Sequence, residues 1–329
     1  MHRLAPETAL AVLRRHDLID EDEAPQVVPL SGGVSAALVL VTARRGRFVL
    51  KQPQPEFAVA DRWVVDTGRG RVEFAAARLL HRHLGRRIVP VLVYDHVDDV
   101  LVLEAAPQGW RTWKAHLLAG QAHPSAARAA GRLLAGIHAL GALLPSDDMR
   151  HDALFDEQRL DPYLRTSAAR VPEAAAALLE LEGTFAARDD LVHGDFSPKN
   201  LFVDPAMQEV RLIDHEVVTR GDAAFDVGFL LAHLVLKSIH LPDHRAALHD
   251  CARVFLDAYQ DARPDDTDDP LYAREARAVR WAGACLLARV VGKSPVEYLD
   301  EAGRDAARRL ALHVLGTTAQ RLDDVLDAV

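Results

Sequence analysis

The residues of this 329-residue chain that could do chemistry concentrate in positions 193–200 and in the few residues after them. In the first stretch Asn200 follows Asp195 by five positions, and Asp214 and Glu216 come shortly afterwards. A carboxylate on a loop can accept the proton of a hydroxyl, whereas amide and carboxylate oxygens are ligands that Mg²⁺ prefers. A carboxylate, an amide and a second carboxylate in this order are what phosphoryl transfer from a magnesium nucleotide requires.

Each of these residues receives a role from its position. Asp195 is the candidate base, and Asn200 and Asp214 are the candidate magnesium ligands. Glu216 lies two residues beyond Asp214 on the same side of an extended segment, so it could join the metal ligands or orient a substrate. The alternative is a turn rich in Asp and Asn that has no function. The whole set in order, separated by strand-forming apolar runs, favours the catalytic interpretation.

The elements that must position these residues begin with a β-rich block and continue as a mainly helical one. Apolar runs between turn signals predict strands over residues 27–30, 37–42, 48–51, 91–94 and 100–103, with a helix through residues 72–80. Helical periodicity then predicts helices over residues 125–140, 229–236, 246–259, 273–291 and 305–328, with a small hairpin at 201–203 and 210–213. The pattern changes once, which predicts lobes at 1–103 and 108–329 with a hinge at 104–107.

Composition excludes several classes of protein. A net charge of −9 argues against a nucleic-acid-binding surface, which needs clustered Lys and Arg. The two cysteines, Cys251 and Cys285, have neither metal-ligand spacing nor a disulfide framework, so reduced thiols are expected. No stretch resembles a signal peptide or a membrane span, so a soluble cytoplasmic protein without a membrane partner is expected. The oligomeric state is not indicated.

The motifs resemble those of a known superfamily. Residues 193–195 with Asn200, followed by Asp214, resemble the catalytic loop and metal motif of the aminoglycoside phosphotransferase and choline kinase-like superfamily, whose members are small-molecule relatives of protein kinases. Gly194 stands where protein kinases have Arg, which favours the small-molecule branch. The Asp-x-Glu of residues 214–216 is similar to that of methylthioribose kinases, as is the segment 225–228.

This resemblance implies a fold and several supporting residues. The fold is α+β, a bilobal protein-kinase-like arrangement with a small β-rich N-terminal lobe and a larger, mainly helical C-terminal lobe. Asp226 and His193 are implied to brace the catalytic loop through hydrogen bonds. Lys51, on the strand face shared with Val49, would contact the α- and β-phosphates, and Glu73 would pair with it. An exposed strand lysine would be the alternative for Lys51, and Asp61 and Asp66 are acidic competitors for the role of Glu73.

The resemblance also places the remaining nucleotide contacts. The hinge would bind the adenine edge through backbone groups, and a flexible turn would cover the phosphates, although its glycine pair is weak evidence by itself and is not a Walker A motif. The base-binding segment of the hinge is Glu104–Ala106, and its proposed contact residues are Glu104 and Ala106. The turn residues are Ser31, Gly32, Gly33 and Ser35.

The function implied is an ATP-dependent O-phosphotransferase with Mg²⁺, and GTP is possible because some relatives accept it. The acceptor is a hydroxyl of a small molecule, namely an aminoglycoside or other antibiotic, as in antibiotic resistance, or a sugar or nucleoside-like metabolite. Candidate acceptor contacts are Trp281, Arg289, Lys293 and residues 294–298, while the acidic residues 265–269 are interpreted as solvated charge. Two alternatives stay open, a catalytically silent nucleotide-binding pseudokinase or scaffold and a protein kinase. The latter is disfavoured because no activation segment follows Asp214.

Overall fold

The structure is a computed structural model. It describes residues 3–30, 35–58, 61–145, 147–263, 271–317 and 321–329. The chain divides into two compact units, which are Met1–Gln108 with Ile213–Val217 and Gly109–Leu212 with Val218–Val329. The predicted phosphate-covering residues Ser31, Gly32 and Gly33 and the acidic residues 265–269 lie outside the described residues. The lobe and hinge boundaries predicted from sequence stay predictions.

The first unit is built on an antiparallel five-stranded sheet in the order β1-β2-β3-β5-β4. Its strands are β1 Gln26–Leu30, β2 Ala36–Ala43, β3 Gly46–Pro53, β4 Val91–Asp95 and β5 Val100–Glu104, and its helices are α1 Pro6–Arg15 and α2 Arg69–Leu84. The five strands and the helix predicted from alternating and helical apolar patterns are all present.

The two faces of this sheet have different neighbours. Leu50 lies in the apolar cluster that Val12 and Leu13 of α1 complete, and each such buried side chain contributes roughly 1.5–3 kcal/mol. Lys51 is the next residue along β3, so it lies on the other face, directly across from Leu101 of β5. Leu101 packs with α2, so the sheet directs Lys51 toward the face where α2 lies.

The second unit is mainly helical. Its helices are α3 Trp113–Leu118, α4 Pro124–Ala139, α5 Asp152–Phe155, α6 Thr166–Arg170, α7 Ala175–Ala186, α8 Ala224–His240, α9 Arg245–Ala262, α10 Leu271–Val291, α11 Glu301–Gly316 and α12 Leu322–Leu326, with a π-helical segment at Asp156–Arg165. Its strands are β6 Arg111–Thr112, β7 Asp190–Val192, β8 Leu201–Val203, β9 Val210–Leu212 and β10 Thr219–Gly221. The antiparallel pairing of β8 and β9 confirms the predicted hairpin.

Helix α8 lies at the centre of the second unit. Its residues are buried from Ala224 to Ser238, which explains why apolar residues occupy every side of the helix. A Cβ atom on Gly228 would lie 2.5 Å from the Ala278 oxygen, so glycine permits the close approach of α10. Trp281 of α10 is fully buried, as expected of a core residue.

The C-terminal helix prediction was wrong in one respect. A single helix over residues 305–328 was expected, but α11 ends at Gly316 and a separate short helix, α12, begins at Leu322. Glycine has a low helix propensity, and Thr317 follows it with an extended backbone at ψ 175°, so the apolar periodicity alone did not keep the helix continuous.

Within the described ranges, no single helix is both long and apolar enough to cross a membrane. One pair of helices passes the same test only when taken together, Ala224–His240 with Pro242–Ala262, and it bends by 120° at its break.

Candidate active site

The loop between β7 and β8 is braced by a buried carboxylate. Asp226 accepts hydrogen bonds from the backbone N–H of His193 at 2.7 Å and of Gly194 at 2.8 Å, and His138 Nε2 lies 3.1 Å away. Gly194 has φ +79°, a conformation that glycine adopts at little cost. The Asp195 N–H donates to His193 Nδ1 at 3.2 Å. These bonds confirm the bracing role implied for Asp226 and His193.

Asp195 lies in this braced loop beside two cations. Arg159 Nη2 lies 3.2 Å and Lys199 Nζ 2.9 Å from the same oxygen, Oδ2. Arg159 also donates through Nε to the Gly194 carbonyl at 2.5 Å, so it holds the loop as well as the carboxylate. The Asn200 amide donates through Nδ2 to the Asp195 carbonyl at 2.9 Å, a bond that does not use the Asn200 side-chain oxygen. A carboxylate fixed in this way can receive a hydroxyl proton.

The first unit contains a cluster of opposite character, which we call the carboxylate cluster, formed by Glu73, Asp214 and Glu216 around Lys51. Lys51 Nζ lies 2.7 Å from Glu73 Oε2, 2.5 Å from Asp214 Oδ1 and 3.2 Å from Glu216 Oε2. Arg69 Nε lies 3.4 Å from the same Glu216 oxygen. The structure therefore brings together Lys51 and three of the predicted site carboxylates.

Local backbone structure explains how these side chains meet. Arg69 and Glu73 are four residues apart on α2, so they share one helix face. Asp214 follows β9 with φ 69°, a left-handed conformation that is uncommon for a residue other than glycine. Such backbone strain costs of order 1–3 kcal/mol and persists where surrounding structure over-determines it, which is common at functional sites.

The electrostatics of the carboxylate cluster follow from burial and charge. Burial opposes the charge of Lys51, but Asp214, Glu216 and Glu73 outweigh it and hold the Lys51 pKa well above its usual value. Burial raises the pKa of Glu73, against the attraction of Lys51, and the neighbouring carboxylates raise it further. Three carboxylates close together thus lack enough positive charge from the protein alone.

This donor set fits a divalent cation. Oxygens of Glu73, Asp214 and Glu216 lie within 4.8 Å of one another, and Lys51 and Arg69 supply positive charge in contact with them. Hard carboxylate oxygens suit Mg²⁺. The Asp214 side chain is 18% exposed, against 1% for Glu73 and 6% for Glu216, so it is the most accessible of the three carboxylates.

The backbone at the end of β5 offers polar groups of the kind that bind a nucleobase edge. Ala105 N–H donates to Arg47 O at 2.9 Å, and Glu104 N–H donates to Pro90 O at 3.0 Å. Proline has no N–H, so Pro90 cannot return a hydrogen bond to the Glu104 carbonyl. Ala106 O accepts from Arg47 Nη1 at 3.3 Å. Ser35, the described member of the predicted phosphate-covering turn, accepts from Arg69 Nη2 through its carbonyl at 2.6 Å.

Two arginines of the site were missed by sequence reasoning. Arg159 comes from the segment between residues 141 and 190, which sequence analysis left without assigned elements, and Arg69 begins α2. Both are buried, and buried arginines are rare unless paired, but a single sequence does not show burial. Glu73, in contrast, pairs with Lys51 as expected, whereas Asp66 accepts a hydrogen bond from the Gly68 N–H at 2.8 Å just before α2 begins.

Comparison with known proteins gives this geometry a family. The model of the phosphotransferase enzyme family matches residues 26–260. The methylthioribose kinase of Bacillus velezensis is 26% identical over 77% of this chain and 74% of its own length. The methylthioribose kinase of Enterobacter sp. is 24% identical over 86% of this chain and 84% of its own.

Solved structures show the same fold. A choline/ethanolamine kinase family protein from Mesorhizobium loti has a TM-score of 0.56 at 16% identity and covers 98% of this chain and 97% of its own. An aminoglycoside phosphotransferase from Alicyclobacillus acidocaldarius has a TM-score of 0.52 at 17% identity, with 99% and 96% covered. These neighbours combine an antiparallel N-terminal sheet with a helical C-terminal region, the protein-kinase-like fold. The chain belongs to the phosphotransferase enzyme family and is a small-molecule kinase.

Proposed function

We propose that the chain transfers the γ-phosphoryl group of ATP to a hydroxyl of a small molecule, with Asp195 as the base. The acceptor oxygen forms a bond to the γ-phosphorus as the bond to the bridging oxygen of ADP breaks, and Asp195 receives the hydroxyl proton. Arg159 and Lys199 hold the carboxylate in place. Positioning of this kind provides much of the catalysis in phosphoryl transfer.

The nucleotide side of the proposal uses the first unit. Lys51 would contact the α- and β-phosphates while Glu73 orients it, and the backbone of Glu104 and Ala106 would bind the base. The proposal includes Ser31, Gly32, Gly33 and Ser35 as the phosphate-covering turn and ATP as the donor, with GTP possible. Mg²⁺ bound by Asn200, Asp214 and Glu216 would supply charge neutralisation at the phosphates.

The observation that supports this function most is the contact of Lys51 with Glu73, Asp214 and Glu216. Lys51 is buried among three carboxylates, so both signs of charge are present in one place. Such an arrangement suits a nucleotide site, because the lysine can turn to the phosphates while the carboxylates bind a metal ion. As an ordinary structural ion pair it would need only one of these carboxylates.

The proposed acceptor is a class of small molecules with a hydroxyl group and not one named compound. The two relatives named above are methylthioribose kinases, and the Asp-x-Glu of residues 214–216 resembles the motif of that group, which supports a sugar-like hydroxyl. Aminoglycosides and other antibiotics and nucleoside-like metabolites complete the set of proposed acceptors. A cytoplasmic location and the absence of nucleic-acid and membrane partners stay predictions.

A coupled ADP-release screen tests the proposal. Purified protein with Mg-ATP would be assayed against antibiotics, amino alcohols, ribosides and hexoses, and at least one acceptor should raise ADP release above the ATPase background. Binding of Mg-ATP with no transfer to any acceptor would favour a pseudokinase. Labelled phosphate appearing on a protein substrate, dependent on Asp195, would favour a protein kinase instead.

A further inference from the structure

A lysine is buried without an acidic partner in α8. Lys237 is 1% exposed, and its Nζ donates to the His233 carbonyl at 3.1 Å. The Nζ also lies 5.4 Å from the centre of the Tyr298 ring. Within the residues that the structure describes, no carboxylate lies within ion-pair distance of Lys237. Buried charges are normally paired, because an unpaired one costs several kcal/mol.

Further cations act on His233, the residue whose carbonyl accepts from Lys237. Burial lowers the pKa of His233, and the charges of Lys237, Arg289, Lys199 and Lys114 lower it further, so all four cations lie near this one histidine. We call Lys114, Lys199, Lys237 and Arg289 the cation cluster. Like charges gathered around a buried imidazole repel one another and destabilise the empty site.

A second member of the cluster also lacks an acidic partner. Arg289 donates through Nη1 to the carbonyl of Ser294 and to its hydroxyl, the latter at 3.0 Å. In the described part of the chain it forms no ion pair with a carboxylate. The buried hydroxyl of Tyr298 has no hydrogen-bond partner among these residues either. Positive charge without an acidic partner and a hydroxyl without a hydrogen-bond partner therefore both occur in this part of the described chain.

The cation cluster adjoins the catalytic loop. Lys199 contacts Asp195 at 2.9 Å, and the backbone N–H of Lys114 donates to the Pro198 carbonyl at 2.8 Å. Arg159, which also contacts Asp195, has its Cζ 5.8 Å from the centre of the Phe229 ring, and that ring lies 5.1 Å from His233. A molecule whose hydroxyl reaches Asp195 would thus have its neighbouring groups beside these cations.

The protein supplies carboxylates to two of these cations, Asp195 to Lys199 and Glu297 to Lys114. Glu297 pairs with Lys114, while its charge acts on Lys237 without contacting it. Burial and the charges of Lys114 and Arg289 together lower the pKa of Lys237 to about 7, and Glu297 only partly opposes them. A chain with a net charge of −9 has therefore left a local deficit of negative charge next to its proposed base.

We propose that the cation cluster binds an anionic group, a carboxylate or a phosphate, of the acceptor whose hydroxyl is phosphorylated. This inference rests on the proposed function and narrows its substrate class. An anion that reaches Lys237 and Arg289 supplies the missing partner, whereas a polycationic aminoglycoside meets repulsion. Its position would orient the acceptor with its hydroxyl toward Asp195.

A binding experiment tests the anion site without turnover. Thermal unfolding would be followed at constant ionic strength, with saturating Mg²⁺ and a non-hydrolysable ATP analogue, while chloride is replaced by inorganic phosphate or by acetate. The two anions separate phosphate from carboxylate recognition. At least one of the two anions should raise the Tm of the wild type but not that of Lys237→Met. The control variant Arg128→Met, which removes an exposed cation of α4, should respond like the wild type. An equal rise in Lys237→Met, or no rise with either anion, would overturn the proposal.

A turnover experiment then tests the acceptor class with matched pairs. Ribose 5-phosphate would be compared with ribose, and glycerate with glycerol, with choline and kanamycin as cationic compounds. The charged member of a pair should have a kcat/KM at least roughly tenfold higher, as one charged hydrogen bond can provide. Lys237→Met should reduce that preference by about tenfold, and Lys114→Met, at a more exposed position, should reduce it in the same direction.

The outcomes of the two experiments are distinct. A preference for neutral or cationic acceptors, or an equal loss with both members of a pair in Lys237→Met, would overturn the anionic acceptor while leaving phosphate transfer intact. Absence of transfer to every compound, combined with anion binding that depends on Lys237, would count against the proposed function and still support the anion site.

Discussion

The carboxylate cluster lacks positive charge, whereas the cation cluster lacks negative charge. In the first, Glu73, Asp214 and Glu216 surround Lys51, and Arg69 adds a second positive charge. In the second, Lys237 and Arg289 have no acidic partner within the described residues, and Lys114 and Lys199 lie nearby. Each cluster is costly to the isolated protein, because like charges gather near a buried side chain.

The difference teaches where each ligand should bind. A surplus of carboxylates is compensated by a metal ion, and a surplus of cations by an anionic group of a substrate. Charge that is uncompensated in the free protein stabilises a ligand of opposite sign more than it stabilises the fold. In either cluster, a variant that neutralises one of the like charges should therefore weaken ligand binding more than it destabilises the fold.

The largest effect is expected at Asp214, the most accessible carboxylate of its cluster. Asp214→Asn removes a proposed metal ligand and the 2.5 Å partner of Lys51. We expect kcat/KM for phosphate transfer to fall roughly 10²–10³-fold, the cost of losing one electrostatic stabiliser of the transition state. Steady-state kinetics would measure it, with Asp20→Asn, which affects an exposed ion pair of the same unit, as the control. Equal rates in both variants would contradict the role of the carboxylate cluster.

The next effect concerns stability and pH at Lys237. Burial, with Lys114 and Arg289, lowers its pKa from 10.5 to about 7, while Glu297 opposes the shift. The unfolded chain therefore binds a proton that the folded chain lacks between these values, and stability rises with pH across that window. Lys237→Met should be more stable than the wild type at pH 7 by up to about 4 kcal/mol.

That advantage should shrink by about 2 kcal/mol between pH 7 and pH 9, because the folded and unfolded lysine approach the same charge. Urea unfolding at the two pH values measures the gap. Arg128→Met, which removes an exposed cation, should show no such pH dependence relative to the wild type. A gap that is constant or that widens with pH would contradict an unpaired buried lysine.

The smallest effect is expected at Glu216, which shares its charge with both Lys51 and Arg69. Glu216→Gln should weaken Mg²⁺ affinity in the presence of ATP by roughly tenfold, as the loss of a supporting ligand typically does. Calorimetric titration would measure it, with the exposed Glu21→Gln as the control. Unchanged affinity in Glu216→Gln would restrict the metal site to other residues.

Much of the candidate site could be predicted because its residues are close in sequence or follow strong periodicity. The spacing of Asp195 and Asn200 lies within one loop, and β3 places Lys51 by simple alternation. The pairing of Glu73 with Lys51 was implied by the family resemblance, since Asp61 and Asp66 were also candidates in the sequence. The bracing by Asp226 came from family resemblance, since hydrogen bonds from His193 and Gly194 span more than thirty positions.

The cation cluster could not be predicted, for a physical reason. Lys237 sits near the end of an apolar helix, where a lysine usually extends to water or interacts with the helix dipole. The Tyr298 ring, whose centre lies 5.4 Å from the Lys237 Nζ, belongs to a different part of the chain. Arg159 is hidden in the same way, because the irregular π-helical turn that presents it, with Pro162 inside, has no simple periodicity.

The measurement that tests the central claim most directly is a phosphorus NMR time course of the reaction with Mg-ATP and an acceptor. Wild-type protein and Asp243→Asn, which changes an exposed carboxylate of the second unit, should convert the γ-phosphate signal into a phosphomonoester signal of the acceptor. Asp195→Asn should slow this conversion by roughly 10²-fold or more, because it removes the proposed base. Ester formation at the wild-type rate in Asp195→Asn would contradict the account.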